Sequence, residues 1–442
     1  MTSTRVVEVF GWEALDSRGR PTVGCRARLA GGAEGRAVVP SGASTGSYEA
    51  LELRDQEDNR FGGSGVRNAV RNLNQVLAPA IVGMDAADRA AVDAAMESLD
   101  GTPELGRLGA NSVLAISVAI SIAAAVGLGR PLWQVLDGGD EPLLPMPMVN
   151  IVSGGAHARH ALDIQDVLAV PVGARSFAEA IEWAWRVRRA TAQLLDARGG
   201  SSALVADEGG LAGSLARNED ALALVTDGIG RAGFVPGDEV ALAVDVAANQ
   251  IFDGAAYRLE LENRHYDSRG WLSELAGWCQ RYPIVSLEDV LGEDDWDGWR
   301  VAGEVVGRRR QLVGDDLFAT HLERVRRGLA DGVANAVLVK PNQAGTVTRA
   351  ETVLRAAQAA GYATVVSARS GDTEDSWLAD LAVGWRSGQI KVGSTTRAER
   401  TAKWNRLLEI EAAAGERSHF AGAGMLAGGA GNASAVAGQP RR

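Results

Sequence analysis

What most constrains this chain is a pattern that repeats from about residue 160 onward. Short β-branched runs alternate with helical stretches, over and over. The strand candidates are 166–171, 203–207, 240–246, 284–289, 311–317, 336–341, 364–369 and 389–393. Amphipathic helices separate most of them, among them 176–197, 218–231, 346–360 and 397–411. Around eight strands of this kind is the count that closes into a β/α barrel. The rival architecture is an open doubly wound sheet, which would carry a Gly-rich dinucleotide fingerprint after an early strand. The sequence has none.

Ahead of the repeat, the chain reads as a separate α+β unit. Strands at 6–10 and 21–30 flank the turn Asp16-Ser17-Arg18-Gly19. The Gly/Ser-rich loop Pro40-Ser41-Gly42-Ala43-Ser44-Thr45-Gly46 follows, then helical patterns at roughly 65–80, 86–98 and 109–127. The expected organisation is an N-terminal α+β domain over 1–138, a barrel domain over 139–416 and a flexible Gly/Ala-rich tail over 417–442. A length of 442 residues suits two domains with ample core.

A formal net charge of -11 argues against nucleic acid or an anionic membrane as the main partner. A small acidic substrate stays compatible, because charge at a site can oppose the total. Cys25 and Cys279 lie far apart and in no metal spacing, which points to a reducing compartment. No signal peptide precedes the strand-like Val6-Val7-Glu8-Val9-Phe10, so a cytoplasmic location is expected. The uncharged stretch 108–129 mimics a membrane span, but it is built largely of Ala, Ser and Gly. Such a run inserts weakly, and a buried helix is expected.

The residues at the strand ends carry the chemistry. Ala243-Val244-Asp245, Ser286-Leu287-Glu288-Asp289 and Val313-Gly314-Asp315-Asp316 are three successive apolar strands, each finishing in carboxylate. In a β/α barrel those ends share one mouth, where active sites are built. Converging carboxylates repel unless a cation neutralises them, and hard oxygen ligands suit Mg²⁺. The next three strands end in the opposite charge: Lys340, then Arg369-Ser370, then Lys391. A mouth half acidic and half basic suits a substrate that is both a metal ligand and a polyanion, such as a phosphorylated acid. One charged strand end is commonly a surface cap; six in order, sorted by sign, are not. A lysine among cations is expected to have a lowered pKa and so to serve as a general base.

At these residues the chain resembles enolase, from about Val7 to Glu411. The motifs are Asp16-Ser17-Arg18-Gly19, Val39-Pro40-Ser41-Gly42-Ala43-Ser44-Thr45-Gly46, Leu108-Gly109-Ala110-Asn111 and Gly154-Gly155-Ala156-His157. Asp207-Glu208-Gly209-Gly210, Gly314-Asp315-Asp316-Leu317 and Arg369-Ser370-Gly371 complete the set. The resemblance implies an N-terminal α+β domain, a C-terminal barrel of unusual strand order, and a homodimer or a multiple of dimers. It also implies the known pattern of that superfamily, a Lys or His base working with one or two Mg²⁺ ions. By position, Asp245, Glu288 and Asp315 match the ligands of the tighter Mg²⁺, and Ser44 matches a ligand of the second. Lys340 matches the base that takes the C2 proton of 2-phosphoglycerate. Glu208 matches the acid that helps expel the 3-hydroxyl. Lys391 matches a group that holds the substrate carboxylate, and Arg369 and Ser370 match phosphate binders. His157 and Gln165 match further members of the substrate shell.

Several positions depart from the family pattern. The usual Gln-Glu pair is Gln165-Asp166, and the usual Ser-His-Arg-Ser is Ser367-Ala368-Arg369-Ser370. Ala206, Val290 and Pro341 also replace the family's residues. The residues matching Asp166 and Ala368 lie on the leaving-group side in the family, beside Glu208. A carboxylate drawn back by about 1.5 Å, one C–C bond, loses rate where geometry is tight. The pattern leads to a paralogue that keeps enolate chemistry but changes the outcome. Carboxyphosphonoenolpyruvate synthase of phosphonate antibiotic biosynthesis, which resembles enolase and uses a nucleotide-activated second substrate, is such a case. The alternatives are an ordinary enolase and a catalytically silent binding protein on the same fold.

Overall fold

The computed structural model describes residues 3–429 except 43–45, 57–58, 137–138, 214 and 307–308. The N-terminal part opens with an antiparallel sheet of β1 (Val6–Leu15), β2 (Pro21–Leu29) and β3 (Glu34–Val38). The β1–β2 turn is set by Asp16, whose Oδ1 accepts from the backbone N–H groups of Arg18 (2.8 Å) and Arg20 (2.9 Å). Gly19 supplies the positive φ of 73° that the turn needs.

Helix Ala110–Leu128 lies across β2 and β3. Among the described residues it is the helix long and apolar enough to cross a membrane, yet most of it is buried within the protein. The close approach is possible because β3 begins with Glu34-Gly35. A Cβ on Gly35 would sit 2.1 Å from the Ala119 carbonyl oxygen. Helix Arg89–Asp100 packs beside it, capped by Asp88, whose side chain accepts from Ala91 N.

Eight strands close the barrel in the order Met146–Ser153, Asp166–Val170, Ala241–Asp245, Ile284–Glu288, Gln311–Gly314, Ala336–Val339, Ala363–Ser367 and Gly388–Gly393. The second runs antiparallel to both neighbours, and every other pairing is parallel. The strands are almost entirely buried, as a sheet covered by helices requires.

Two differences from the sequence expectation follow from this. The run 203–207 is not a barrel strand; only an isolated bridge joins Val205 to Leu211. The missing member is Met146–Ser153. Its Met146-Pro147-Met148 start hides it, because proline has no N–H for a ladder and methionine adds little β signal. The repeat also begins irregularly. Two strands come first, then helices Phe177–Ala197 and Asn218–Arg231, and only then does strand alternate with helix.

The stretch expected as a flexible tail is described as far as residue 429. His419–Phe420 pairs with Leu143–Leu144. Leu426 is buried among inward side chains such as Met146, Leu168, Val285 and Val365. Ala427 N donates to Gln311 Oε1 (3.2 Å), and Gln389 Nε2 donates to the Met425 carbonyl (3.1 Å). Residues 430–442 lie outside the described set.

Candidate active site

Parallel strands deliver their C-terminal ends to one rim. Asp245 and Glu288 are the last residues of adjacent strands and stand in register. Asp315 follows Gln311–Gly314, Lys340 follows Ala336–Val339, and Arg369 and Ser370 follow Ala363–Ser367. Lys391 sits within Gly388–Gly393. Asp166 reaches the same rim by the reverse logic. It is the first residue of the antiparallel strand and pairs in register with both Ser153 and Asp245. His157, in the 3-10 turn Gly155–Ala158, and the loop residue Glu208 complete the wall, and one pocket is lined by residues that include His157, Gln165, Glu208, Asp245, Asp315, Lys340, Ala368, Arg369, Ser370 and Lys391. Ser44 lies outside the described residues.

Charge is paired across this mouth. Lys391 Nζ donates to Asp245 Oδ2 at 2.7 Å and to both oxygens of Glu288 at 2.8 Å. Lys340 Nζ donates to Asp315 Oδ2, whose other oxygen accepts from Gln343 Nε2 at 3.1 Å. Gln165 Nε2 donates to Asp245 Oδ2 at 2.9 Å and is itself steered by Gln250. Asp289, with a φ of 43°, turns its carboxylate back to accept from the backbone N–H groups of Asp315 (2.9 Å) and Asp316 (2.7 Å).

Asn150, Glu208, His157, Asp166 and Ser153 form a chain of polar contacts on one side of the mouth. Asn150 Nδ2 donates to Glu208 Oε2 at 3.0 Å. His157 Nε2 stands 3.7 Å from Glu208 Oε1, and its Nδ1 meets Asp166 Oδ2 at 2.9 Å. Ser153 Oγ donates to the other oxygen of Asp166. Burial opposes a charge on His157, but Glu208 and Asp166 outweigh it and raise the imidazole to about 9. Burial pushes Glu208 up, yet His157 and the nearby cations bring it below the usual carboxylate range. Burial raises the Asp166 carboxyl as well, so His157 and Asp166 both favour holding a proton while Glu208 favours its charge.

Lys340 differs from the sequence expectation. Burial would lower its pKa, but contact with Asp315 outweighs burial and neighbouring Arg369, and the ammonium is raised. Burial likewise opposes the charge of Lys391, and Asp245 and Glu288 hold it well above its ordinary value.

Acid is nonetheless in excess. Among the described residues, Asp245, Glu288, Asp289, Asp315 and Asp316 cluster around the two ammoniums of Lys340 and Lys391. Burial and the neighbouring carboxylates push Glu288 to about 8 and Asp316 to about 7, and raise Asp289 strongly. Two sets of possible ligand atoms lie within 4.8 Å of one another among the described residues: His157, Asp166 and Glu208, and Asp289, Asp315 and Asp316. Asp245 and Glu288 meet instead on Lys391. A buried, over-acidic, all-oxygen cluster fits a hard divalent cation, so the residues present suit Mg²⁺.

The comparison with known families matches two sequence models. The N-terminal domain of enolase covers residues 6–136, and the enolase C-terminal TIM barrel domain covers 141–428. This chain belongs to the enolase family. Enolase-family members are generally Mg²⁺-dependent lyases acting on phosphorylated carboxylic acids, and they typically dimerise.

Sequence reasoning gave several groups of this enolase-family site no individual role. Asp289 and Asp316 are each the second acid of an acidic pair, a signal that was present. Asn150, Ser153 and Gln343 gave none, because their roles come from contacts across the fold. Arg400 is fully buried and donates to the carbonyls of Arg369 (2.7 Å), Ser370 (2.7 Å) and Val392 (3.0 Å), which fixes two strand ends. Its sequence sign, shared with Lys403, is a charge on the face of helix Ala398–Ala414 that carries Trp404, Leu407 and Ile410.

Proposed function

We propose that this chain is a Mg²⁺-dependent enzyme that takes the C2 proton of 2-phosphoglycerate with Lys340, and that the step after enolate formation has diverged from simple dehydration. The reading is carried by one observation: Lys340 faces the acidic cluster from the basic half of a single enclosed mouth. Asp245, Glu288 and Asp315 would hold the cation, with Ser44 as ligand to a second. Bound there, Mg²⁺ supplies the divalent charge that stabilises the substrate carboxylate as C2 loses its proton.

The chain's own residues do the rest. Lys391 and Gln165 hold the substrate carboxylate, and Arg369 and Ser370 take the phosphate. Lys340 works in its neutral form, which requires that Asp315 be drawn away from it. On the opposite side Glu208 acts on the 3-hydroxyl, a poor leaving group that needs a proton. His157 carries that proton next to Glu208, and Asp166 orients the ring.

The divergence is argued from Ala368. Its methyl lines the pocket beside Arg369 where the family places an imidazole. A cleared pocket suits a second, bulkier substrate such as a nucleotide-activated phosphonate, as in carboxyphosphonoenolpyruvate synthase. An ordinary enolase converting 2-phosphoglycerate to phosphoenolpyruvate in glycolysis is the second reading. It is favoured by the Ser153–Asp166–His157–Glu208 relay, which closes despite the shorter Asp166. A silent binding protein would have no reason to bury so many like charges at a cost in stability. The free, buried Cys25 and Cys279 support a cytoplasmic location, and a homodimer or multiple of dimers is proposed from the family.

The test is turnover of 2-phosphoglycerate with Mg²⁺, followed by phosphoenolpyruvate absorbance. Rapid conversion would establish an ordinary enolase and end the paralogue reading. Exchange of the C2 proton without turnover would support it. No exchange and no Mg²⁺-dependent ligand binding would leave only the silent protein.

A further inference from the structure

We propose that Glu49 is an internal occupant of the phosphate-binding fork, which an incoming phosphate must displace from Arg369. The inference rests on the reading of Arg369 as a phosphate binder.

The geometry is a fork closed on a carboxylate. Arg369 Nη1 donates to Glu49 Oε2 at 2.9 Å, and Nη2 donates to Glu49 Oε1 at 3.2 Å. Both side chains are buried, at 4% and 6% exposure. Two parallel N–H···O bonds are how a guanidinium receives either a carboxylate or a phosphate, so the two anions compete for one face. They cannot share it cheaply, because like charges at that distance repel strongly in a site shielded from water.

Glu49 is also well placed to report the exchange. Its Oε1 accepts from Gly46 N at 3.0 Å and from Gln343 Nε2 at 3.3 Å. The same Gln343 amide donates to Asp315. One carboxylate thus links the arginine, the backbone at Gly46 and the acid that holds Lys340. A phosphate that releases Glu49 from Arg369 alters the partners of all three.

The alternative is a passive clamp in which Glu49 only keeps Arg369 in place. The two readings predict opposite signs. Glu49→Gln keeps the shape and one acceptor oxygen but removes the charge. Binding of inorganic phosphate, measured by calorimetry without added divalent ion, should tighten by about tenfold in Glu49→Gln as the competing charge disappears. It should be lost in Arg369→Gln. Equal or weaker phosphate binding in Glu49→Gln, with binding still dependent on Arg369, overturns the Glu49 inference alone. Phosphate binding that survives Arg369→Gln overturns the phosphate-site reading and the inference with it. If Glu49→Gln does not fold, Glu49→Asp serves: its shorter arm cannot span the fork, and phosphate should again bind more tightly. Unchanged binding in that variant would overturn the proposal.

Discussion

Replacing Lys391 with methionine gives the sharpest test of the charge layout. The side chains of Lys391, Asp245 and Glu288 are 6%, 2% and 3% exposed, so solvent does little to soften the change. Lys391→Met keeps length and apolar bulk but strands two buried carboxylates. Breaking a buried pair in this way costs about 3–5 kcal/mol. Glu288 is already pushed to about 8 and can escape part of that cost by holding a proton, so the lower end is expected. Unfolding entropy of about 2.1 cal/mol/K per residue, taken over 442 residues, makes 1 kcal/mol worth about 1 °C for cooperative unfolding of the whole chain. The melting temperature in chelator should therefore fall by about 3 °C.

Mg²⁺ supplies the second half of the test. Removing the ammonium removes a competitor for Asp245 and Glu288. Added Mg²⁺ should then raise the melting temperature more in the variant than in the parent. Circular dichroism melts with and without Mg²⁺ read both effects. A variant as stable as the parent in chelator, or one with the same Mg²⁺ increment, would refute the pairing scheme.

Other outcomes follow from the same geometry. His157 is raised from 6.5 to about 9, so its stabilising contribution is whole below pH 6.5 and is lost as pH rises through 9. In chelator, urea midpoints should fall over that window, and His157→Gln should flatten the fall; a parallel slope in the variant would speak against it. Ala368→His combined with Asp166→Glu should raise phosphoenolpyruvate formation by restoring the leaving-group side. An unchanged or lower rate in a folded double variant would remove the explanation given for those two positions.

The barrel was readable from the alternation of short β-branched runs with helices, and the site from six charged strand ends in order, sorted by sign. The first strand was not readable. Pro147 and the two methionines masked it, and the apolar run Ala203-Leu204-Val205-Ala206 took its place in the count. Strand β3 was missed for a related reason: Gly35 and Arg36 give Glu34–Val38 little β character, and the strand is defined by its antiparallel ladder with β2, under helix Ala110–Leu128. The side on which Asp166 falls depends on a reversed strand direction that periodicity does not encode. Lys340 was expected among cations, and its raised pKa comes from Asp315, twenty-five positions earlier in the chain. Glu49 lies 320 positions from the arginine it occupies, so no local pattern announced it.

The central claim is that Lys340 removes a proton from C2 of a bound 2-phosphoglycerate. Incubating enzyme, Mg²⁺ and substrate in D₂O and following the C2 proton by NMR tests it most directly. Deuterium should enter at C2 with the parent protein and fail to enter with Lys340→Ala. No incorporation by the parent, or undiminished incorporation by the variant, would contradict the account.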